Sequence, residues 1–312
     1  MEAAALVTVC LLFWSGSPPR PDPAEPGPRI PLVVRVQGLS VPYRVMGLFV
    51  MPGDSMDFDP LSADKSDPYR LEAERGSSEA LPDGSWRWTA PVEPGFYEVR
   101  LLGQRDTVTF NVVVKTLFRN GQTVLNGYHI GEYPASPLRG DPQFKPPLGL
   151  IELNEITTAV KVSPSFRLGD FASHQAGSPK YIALDERLVL KLESVLDSLR
   201  ARGMRASTFT VMSGYRTPWY NASIGNTTRY SLHLFGRAAD IFVDEDADGR
   251  MDDLDGNGRV NREDARFLFR FIDDQQTRAS FGPYLGGLGL YDATSSHGPY
   301  VHVDVRGHVV HW

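Results

Sequence analysis

Two short segments hold the residues best suited to chemistry. One runs Ser231-Leu232-His233-Leu234-Phe235-Gly236-Arg237-Ala238-Ala239-Asp240, the other Tyr300-Val301-His302-Val303-Asp304-Val305-Arg306. Zinc in hydrolases takes three protein ligands of N or O type and keeps one position open. His233 and Asp240 are seven residues apart, and Gly236 between them permits a bend that returns both side chains to one point. His302 then arrives from a separate strand, and alternation puts Asp304 on the same face. Asp240 lies between Ala239 and Ile241, so it reads as a semi-buried carboxylate, which is costly without a cation partner. The lone cysteine, Cys10, falls in the N-terminal apolar run. Disulfides and thiolate zinc are therefore excluded for a mature chain, and a transition metal must be held by His and carboxylate.

An acidic stretch follows at once. Asp244, Asp246 and Asp248 are succeeded by Gly249 and Met251; Asp253, Asp255 and Asn257 by Gly258 and Val260. Both runs fit a calcium loop, with oxygen ligands at positions 1, 3 and 5, Gly at 6 and an apolar residue at 8. They are similar to EF-hand and dockerin loops. The closing residues are Asp255 and Asp264, shorter than the usual Glu, and the loops overlap at Asp253 and Asp255. We expect calcium on Asp244, Asp246, Asp248, Asp253, Asp255, Asn257 and Asp264.

The elements that must position these residues are legible in outline. Short β-like runs at Leu32–Val36, Val45–Val50, Trp86–Thr89, Tyr97–Leu102 and Val108–Val114 are separated by Pro52-Gly53, Pro82-Asp83-Gly84 and Pro94-Gly95. Several short strands at such spacing predict a β-sandwich. Residues 119–160, rich in Gly, Pro and Tyr, read as a connector. A helix capped by Asp185, with a stripe of Leu188, Leu192, Val195, Leu196 and Leu199, ends near Gly203. Strands are expected at Thr208–Ser213, Ala239–Val243 and Tyr300–Val305.

Composition bounds the rest. The chain has 312 residues and a net charge of −6, which gives no basic footprint for nucleic acid. The apolar run Ala3–Trp14 is too short to span a bilayer and fits a signal-peptide core. The prolines from Pro18 to Pro28 read as an extended spacer. We thus expect a signal peptide and spacer over 1–31, a β-sandwich module over 32–118, the connector, and a zinc domain over 161–312 with the calcium-loop insert at 244–264.

The pattern Ser-x-His-x-x-Gly-x-Ala-x-Asp, followed downstream by His-x-Asp, resembles the M15 metallopeptidases. The run Gly286-Gly287-Leu288-Gly289-Leu290-Tyr291, then Val301-His302-Val303-Asp304 and Trp312, is similar to one branch of that family. The resemblance covers about Val160 to Trp312. It implies a Hedgehog/D,D-peptidase-type α+β zinc domain, with zinc on His233, Asp240 and His302; together with the strand pattern before it, the expected fold class is α+β, an N-terminal Ig-like β-sandwich followed by that domain. It also implies D,D-carboxypeptidase or D,D-endopeptidase activity on peptidoglycan peptides. Ser213-Gly214-Tyr215-Arg216-Thr217-Pro218 resembles the family too, and its Arg216 would bind a substrate carboxylate or polarise the scissile carbonyl. Some relatives place Glu or Asp three residues before the last zinc His, where this chain has Pro299. Asp304 either takes the proton or orients His302. His297 can stabilise the transition state or serve its loop. His129, His174, His308 and His311 lack such context and read as structural or exposed.

The expectation is an exported zinc and calcium peptidase, periplasmic or extracellular and associated with the cell wall, with no membrane span in the mature chain. Two rivals stand beside it: an inactive wall-binding module, and a calcium-dependent adhesion or assembly module.

Overall fold

A computed structural model describes residues 32–61, 68–119 and 121–312. The expected signal run, Cys10 and the proline-rich spacer lie outside them. Nine strands open the described chain: β1 (Val34–Val36), β2 (Leu39–Val41), β3 (Val45–Val50), β4 (Ser55–Pro60), β5 (Arg70–Ala73), β6 (Ser77–Ala80), β7 (Trp86–Thr89), β8 (Gly95–Leu102) and β9 (Thr107–Val114). They form one sheet of order β2-β1-β4-β7-β6 and another of order β3-β9-β8-β5. The alternation read in β9 holds, with Val108, Phe110, Val112 and Val114 buried. The sheets meet where Phe58 of β4 and Phe110 of β9 bring their rings to 4.7 Å. Trp88 of β7 is fully buried and donates from Nε1 to the Arg75 carbonyl at 2.9 Å, so its one polar atom is satisfied.

The segment read as a connector carries strand pairing of its own. After β10 (Thr116–Leu117), β11 (Val124–Leu125) and β12 (Tyr128–His129) form a hairpin. Next, β13 (Gly149–Leu153) joins β10 to β14 (Lys180–Ile182).

The remainder is one mixed layer. Helix α1 (Glu186–Ala201) is capped by Asp185, whose carboxylate accepts from the Arg187 amide, and its predicted apolar stripe is buried. Gly203 sits at φ 78° just past its end, a conformation glycine adopts at little cost. Then come β15 (Thr210–Ser213), the short helix α2 (Pro218–Ser223), β16 (Ala238–Phe242), α3 (Arg262–Gln276), β17 (Gly287–Tyr291), β18 (Tyr300–Asp304) and β19 (Val310–His311). The sheet order is β15-β16-β18-β17-β19, and α3 packs on β17 and β18. Lys191 of α1 is fully buried; its Nζ donates to the Asp304 carbonyl at 2.8 Å and to Gln276 Oε1 at 3.3 Å. It therefore ties α1 to β18 and α3. The whole is mostly β-sheet with few helices, consistent with the α+β class. Among the described residues no helix is long and apolar enough to cross a membrane.

Strand β3 joins the N-terminal sheets to the rest. The Gly47 amide donates to the Val162 carbonyl at 2.8 Å, and the Phe49 amide to Glu186 Oε1 at 2.9 Å. A Cβ at Gly47 would lie 2.8 Å from Val162 Cγ1, so only glycine permits this approach. Tyr43 adds a bond from its hydroxyl to Asp197 at 2.9 Å.

Candidate metal centre

Strand register builds the site. Asp240 of β16 pairs with His302 of β18 on one side and Ser213 of β15 on the other; His302 pairs in turn with Gly289 of β17. One row across the sheet thus reads Ser213, Asp240, His302, Gly289. His233 enters from the turn Leu232–Phe235, which ends at Gly236 with φ 67°. A Cβ on Gly236 would meet the Ala183 carbonyl at 2.2 Å, so the expected bend is a glycine bend for steric as well as conformational reasons.

The three side chains converge. His233 Nε2 lies 3.2 Å from His302 Nδ1, and Asp240 Oδ1 lies 2.9 Å from His302 Nδ1 and 3.4 Å from His233 Nε2. A tetrahedral zinc with bonds of about 2.0–2.1 Å has ligand–ligand edges of about 3.3–3.4 Å. The observed triangle comes close to that size, and its N, N and O donors suit zinc.

Each donor is oriented from behind. His233 Nδ1 meets the Gly214 carbonyl at 2.7 Å, which leaves Nε2 for the site. Asp240 Oδ2 accepts from Arg216 Nη2 at 2.7 Å, and Arg216 Nε donates to Ser213 Oγ at 2.8 Å. His302 Nε2 faces Asp304 Oδ2 at 3.4 Å. Asp304 is fully buried, accepts from the Gly287 amide at 2.7 Å and pairs with Arg306 Nε through both oxygens at 2.9 and 3.0 Å. Backing of this kind fixes ring orientation and raises ligand basicity.

The charges follow from this packing. Burial opposes ionisation of Asp240, yet the two imidazoles hold its carboxyl well below the usual range. Burial likewise opposes ionisation of Asp304, but His302 and Arg306 hold it low. Burial pushes His233 down, which keeps a lone pair on offer. At His302 burial is outweighed by Asp240 and Asp304, which push it up. Each ionised carboxylate sits on buried ground with a cation beside it, Arg216 at Asp240 and Arg306 at Asp304.

Asp304 touches the far nitrogen of His302, away from the donor triangle, and its oxygens are engaged by Arg306 and Gly287. That geometry matches the orienting alternative. Arg216 reaches Asp240 through Nη2 and Ser213 through Nε. His297 is half-buried, bonded to the Gly298 carbonyl at 2.8 Å and set edge-on to Tyr300, with ring centroids 5.1 Å apart.

Sequence reasoning gave Tyr291, Tyr300 and Trp312 no role, and the fold gathers them into an aromatic rim. Tyr291 and Tyr300 are register partners stacked at 4.7 Å with rings 5° from parallel. Trp312 lies 5.1 Å from the His302 ring and donates from Nε1 to Tyr291 Oη at 2.8 Å. Glycine at 289 makes room, since a Cβ there would lie 2.6 Å from Trp312 Nε1. Burial, then the charge of Asp240, pushes the Tyr300 phenol up. The available signal was period two: Tyr300 stands two residues before His302 and shares its face.

The acidic stretch resolves into two groups, Asp244, Asp246 and Asp252, and Asp253, Asp255 and Asp264, each offering ligand atoms within 4.8 Å of one another. The first differs from expectation. Asp252 joins it, Asp248 turns to the Arg250 amide at 2.8 Å, and Asp255 belongs to the second group. Met251 is buried and anchors the first loop, whereas Val260 is half-exposed. Asn257 donates from Nδ2 to Asp255 Oδ2 at 2.8 Å and accepts at Oδ1 from the Arg259 amide at 2.9 Å. Asp264 is fully buried and forms a capping box with Asn261 at the start of α3.

The chain matches no family model and no curated protein. Among solved structures it shows a likeness to the adhesin InvE of Yersinia pseudotuberculosis, at 10% identity and a TM-score of 0.19, over 28% of this chain and 29% of that one. The matched part spans under a third of that protein, and a likeness of this size carries no argument about activity.

Proposed function

We propose that this chain is an exported zinc metallopeptidase of the M15 kind that hydrolyses peptide bonds in peptidoglycan stem peptides or crosslinks. The observation that carries the reading is the donor triangle of His233, Asp240 and His302, 2.9–3.4 Å on a side with each donor backed from behind. Zinc held there would act as a Lewis acid toward water and a carbonyl. Arg216 fixes the Asp240 carboxylate, and Asp304 fixes the His302 ring. Tyr300, on the His302 face and within the field of Asp240, offers a neutral phenol as a donor to a developing oxyanion. In this reading the N-terminal sheets are an Ig-like sandwich and the rest is a Hedgehog/D,D-peptidase-type domain. The two acidic groups hold calcium, which suits an extracytoplasmic setting.

A specific observation favours one alternative, an inactive metal-bearing wall-binding module. Pro299 stands where relatives place a carboxylate, and Asp304 is committed elsewhere. Incubating the purified chain with defined muropeptides, with and without zinc, separates the two by product mass. The peptidase reading expects about one zinc per chain, lost in His233→Ala and His302→Ala, and new products only with zinc. Zinc-loaded protein that leaves every muropeptide intact would overturn it.

A further inference from the structure

A cleft of about 290 Å³ opens between β12 and α2 and shares no residue with the metal set. Its walls are aromatic: Tyr128, His129, Trp219 and Tyr220 line it, with His174 and Ser178 among the polar groups. Trp219 is 47% exposed and stacks on His129 with centroids 5.5 Å apart and planes 28° from parallel.

The cleft is built rather than incidental. The Trp219 amide donates to the Ile130 carbonyl at 2.9 Å. Gly131, at φ 80°, lies so close beneath that a Cβ would sit 2.5 Å from the Trp219 nitrogen. Gln175, 4% exposed, donates to the His129 carbonyl at 2.7 Å and accepts from the Thr217 hydroxyl at 2.5 Å. That buried amide clamps the β12 wall to the α2 wall. On the floor, Gly177 lies against the Tyr128 ring, where a Cβ would approach to 2.6 Å. Walls fixed in this way spare a ligand the cost of ordering them.

Chemistry narrows the ligand. No Lys, Arg, Asp or Glu lines the cleft, so no permanently charged side chain is there to select an ionic ligand. What remains is a half-exposed indole stacked with the His129 ring, with the hydroxyls of Tyr128, Ser178 and Tyr220 and the His174 imidazole in the same lining. Few polar groups around an apolar wall orient a small neutral ligand. A pyranose matches both, with its C–H face on the ring and its hydroxyls toward the rim.

We propose that this cleft binds a neutral sugar ring, so that a glycan is held beside the metal-site segment. The link is covalent and short: Arg216, which holds Asp240, is followed by Thr217, which Gln175 holds, and then by α2 with Trp219. Only the identity of the polymer rests on the proposed function; the cleft stands on its own geometry.

The test titrates the full chain with the trisaccharide of N-acetylglucosamine, followed by calorimetry and amide chemical shifts. A dissociation constant of about a millimolar is expected for one ring engaged. Trp219→Ala should weaken binding at least tenfold, and Trp219→Phe should keep most of it. Trp219 is surface-exposed, and circular dichroism checks that both variants fold. His233→Ala with His302→Ala should bind as the parent does. Saccharide binding with failed muropeptide digestion would sink the peptidase reading and leave the cleft assignment standing. No binding at tenfold that concentration, unchanged binding in Trp219→Ala, or loss in the double histidine variant would overturn the assignment. So would a preference for inorganic phosphate or for a proline-rich peptide.

Discussion

Replacing Asp304 with Asn isolates what the carboxylate does. Asn keeps the shape and one acceptor but removes the charge that faces His302 Nε2 at 3.4 Å and pairs with Arg306. If Asp304 orients and polarises the ring, zinc affinity should fall about 10–100-fold, or about 1.4–2.7 kcal/mol. Arg306 loses its partner but is 25% exposed, so it can rehydrate. The stability cost should then be about 1–3 kcal/mol, below that of stranding a fully buried charge. Turnover at saturating zinc should fall far less than the hundredfold or more that loss of a general base costs. Competition with a chromophoric chelator gives the affinity, urea unfolding the stability, and muropeptide release the turnover. Unchanged zinc affinity with a hundredfold loss of turnover would refute the reasoning and return Asp304 to the proton path.

Two further outcomes follow from sites away from that row. Millimolar calcium added to chelator-treated protein should raise the melting temperature by about 2 °C or more, since a ligand of the folded state stabilises by mass action. Asp246→Asn with Asp253→Asn should remove the response, and a flat wild-type curve across calcium would refute both acidic groups as sites. Burial, then the Asp185 charge, pushes Glu186 up from 4.5 to about 7. A raised carboxyl contributes stability below its unfolded pKa, and that contribution is lost as pH climbs through the folded one. Glu186→Gln should therefore gain up to about 3 kcal/mol at pH 8 and nothing at pH 4. Equal differences at both pH values in urea unfolding would count against it.

How much of this was legible depended on whether the signal was local. Periodicity located β3, β7 and β9 and the stripe of α1, because a half-buried strand and an amphipathic helix write their period into the chain. It passed over β6 (Ser77–Ala80), exposed along its length, and β4, whose buried Met56 and Phe58 alternate with Ser55 and Asp57. Helix α3 was missed although Asn261 and Asp264 box its start, because Asp264 reads as the closing ligand of a calcium loop. In the site, residue type and spacing named the donor triangle. They could not say which nitrogen of His302 faces Asp304, where Arg216 points, or that Asp252 rather than Asp248 lies with Asp244 and Asp246. Those facts depend on cross-strand register and rotamers. Trp219 and His129 lie ninety positions apart in sequence, and only the fold makes them one surface.

Strand β3 has a meaning beyond joining two parts of the chain. It is the edge of its sheet, six residues without charge or proline, Val-Met-Gly-Leu-Phe-Val. An open edge of that composition is a template on which other copies can add strands and begin to aggregate. Its outward amides at Gly47 and Phe49 are taken by Val162 and Glu186, over a hundred residues away. The later half of the chain thus serves as a shield against self-association. A fragment cut after the ninth strand would carry its own hydrophobic interior and still expose that ribbon to every neighbour.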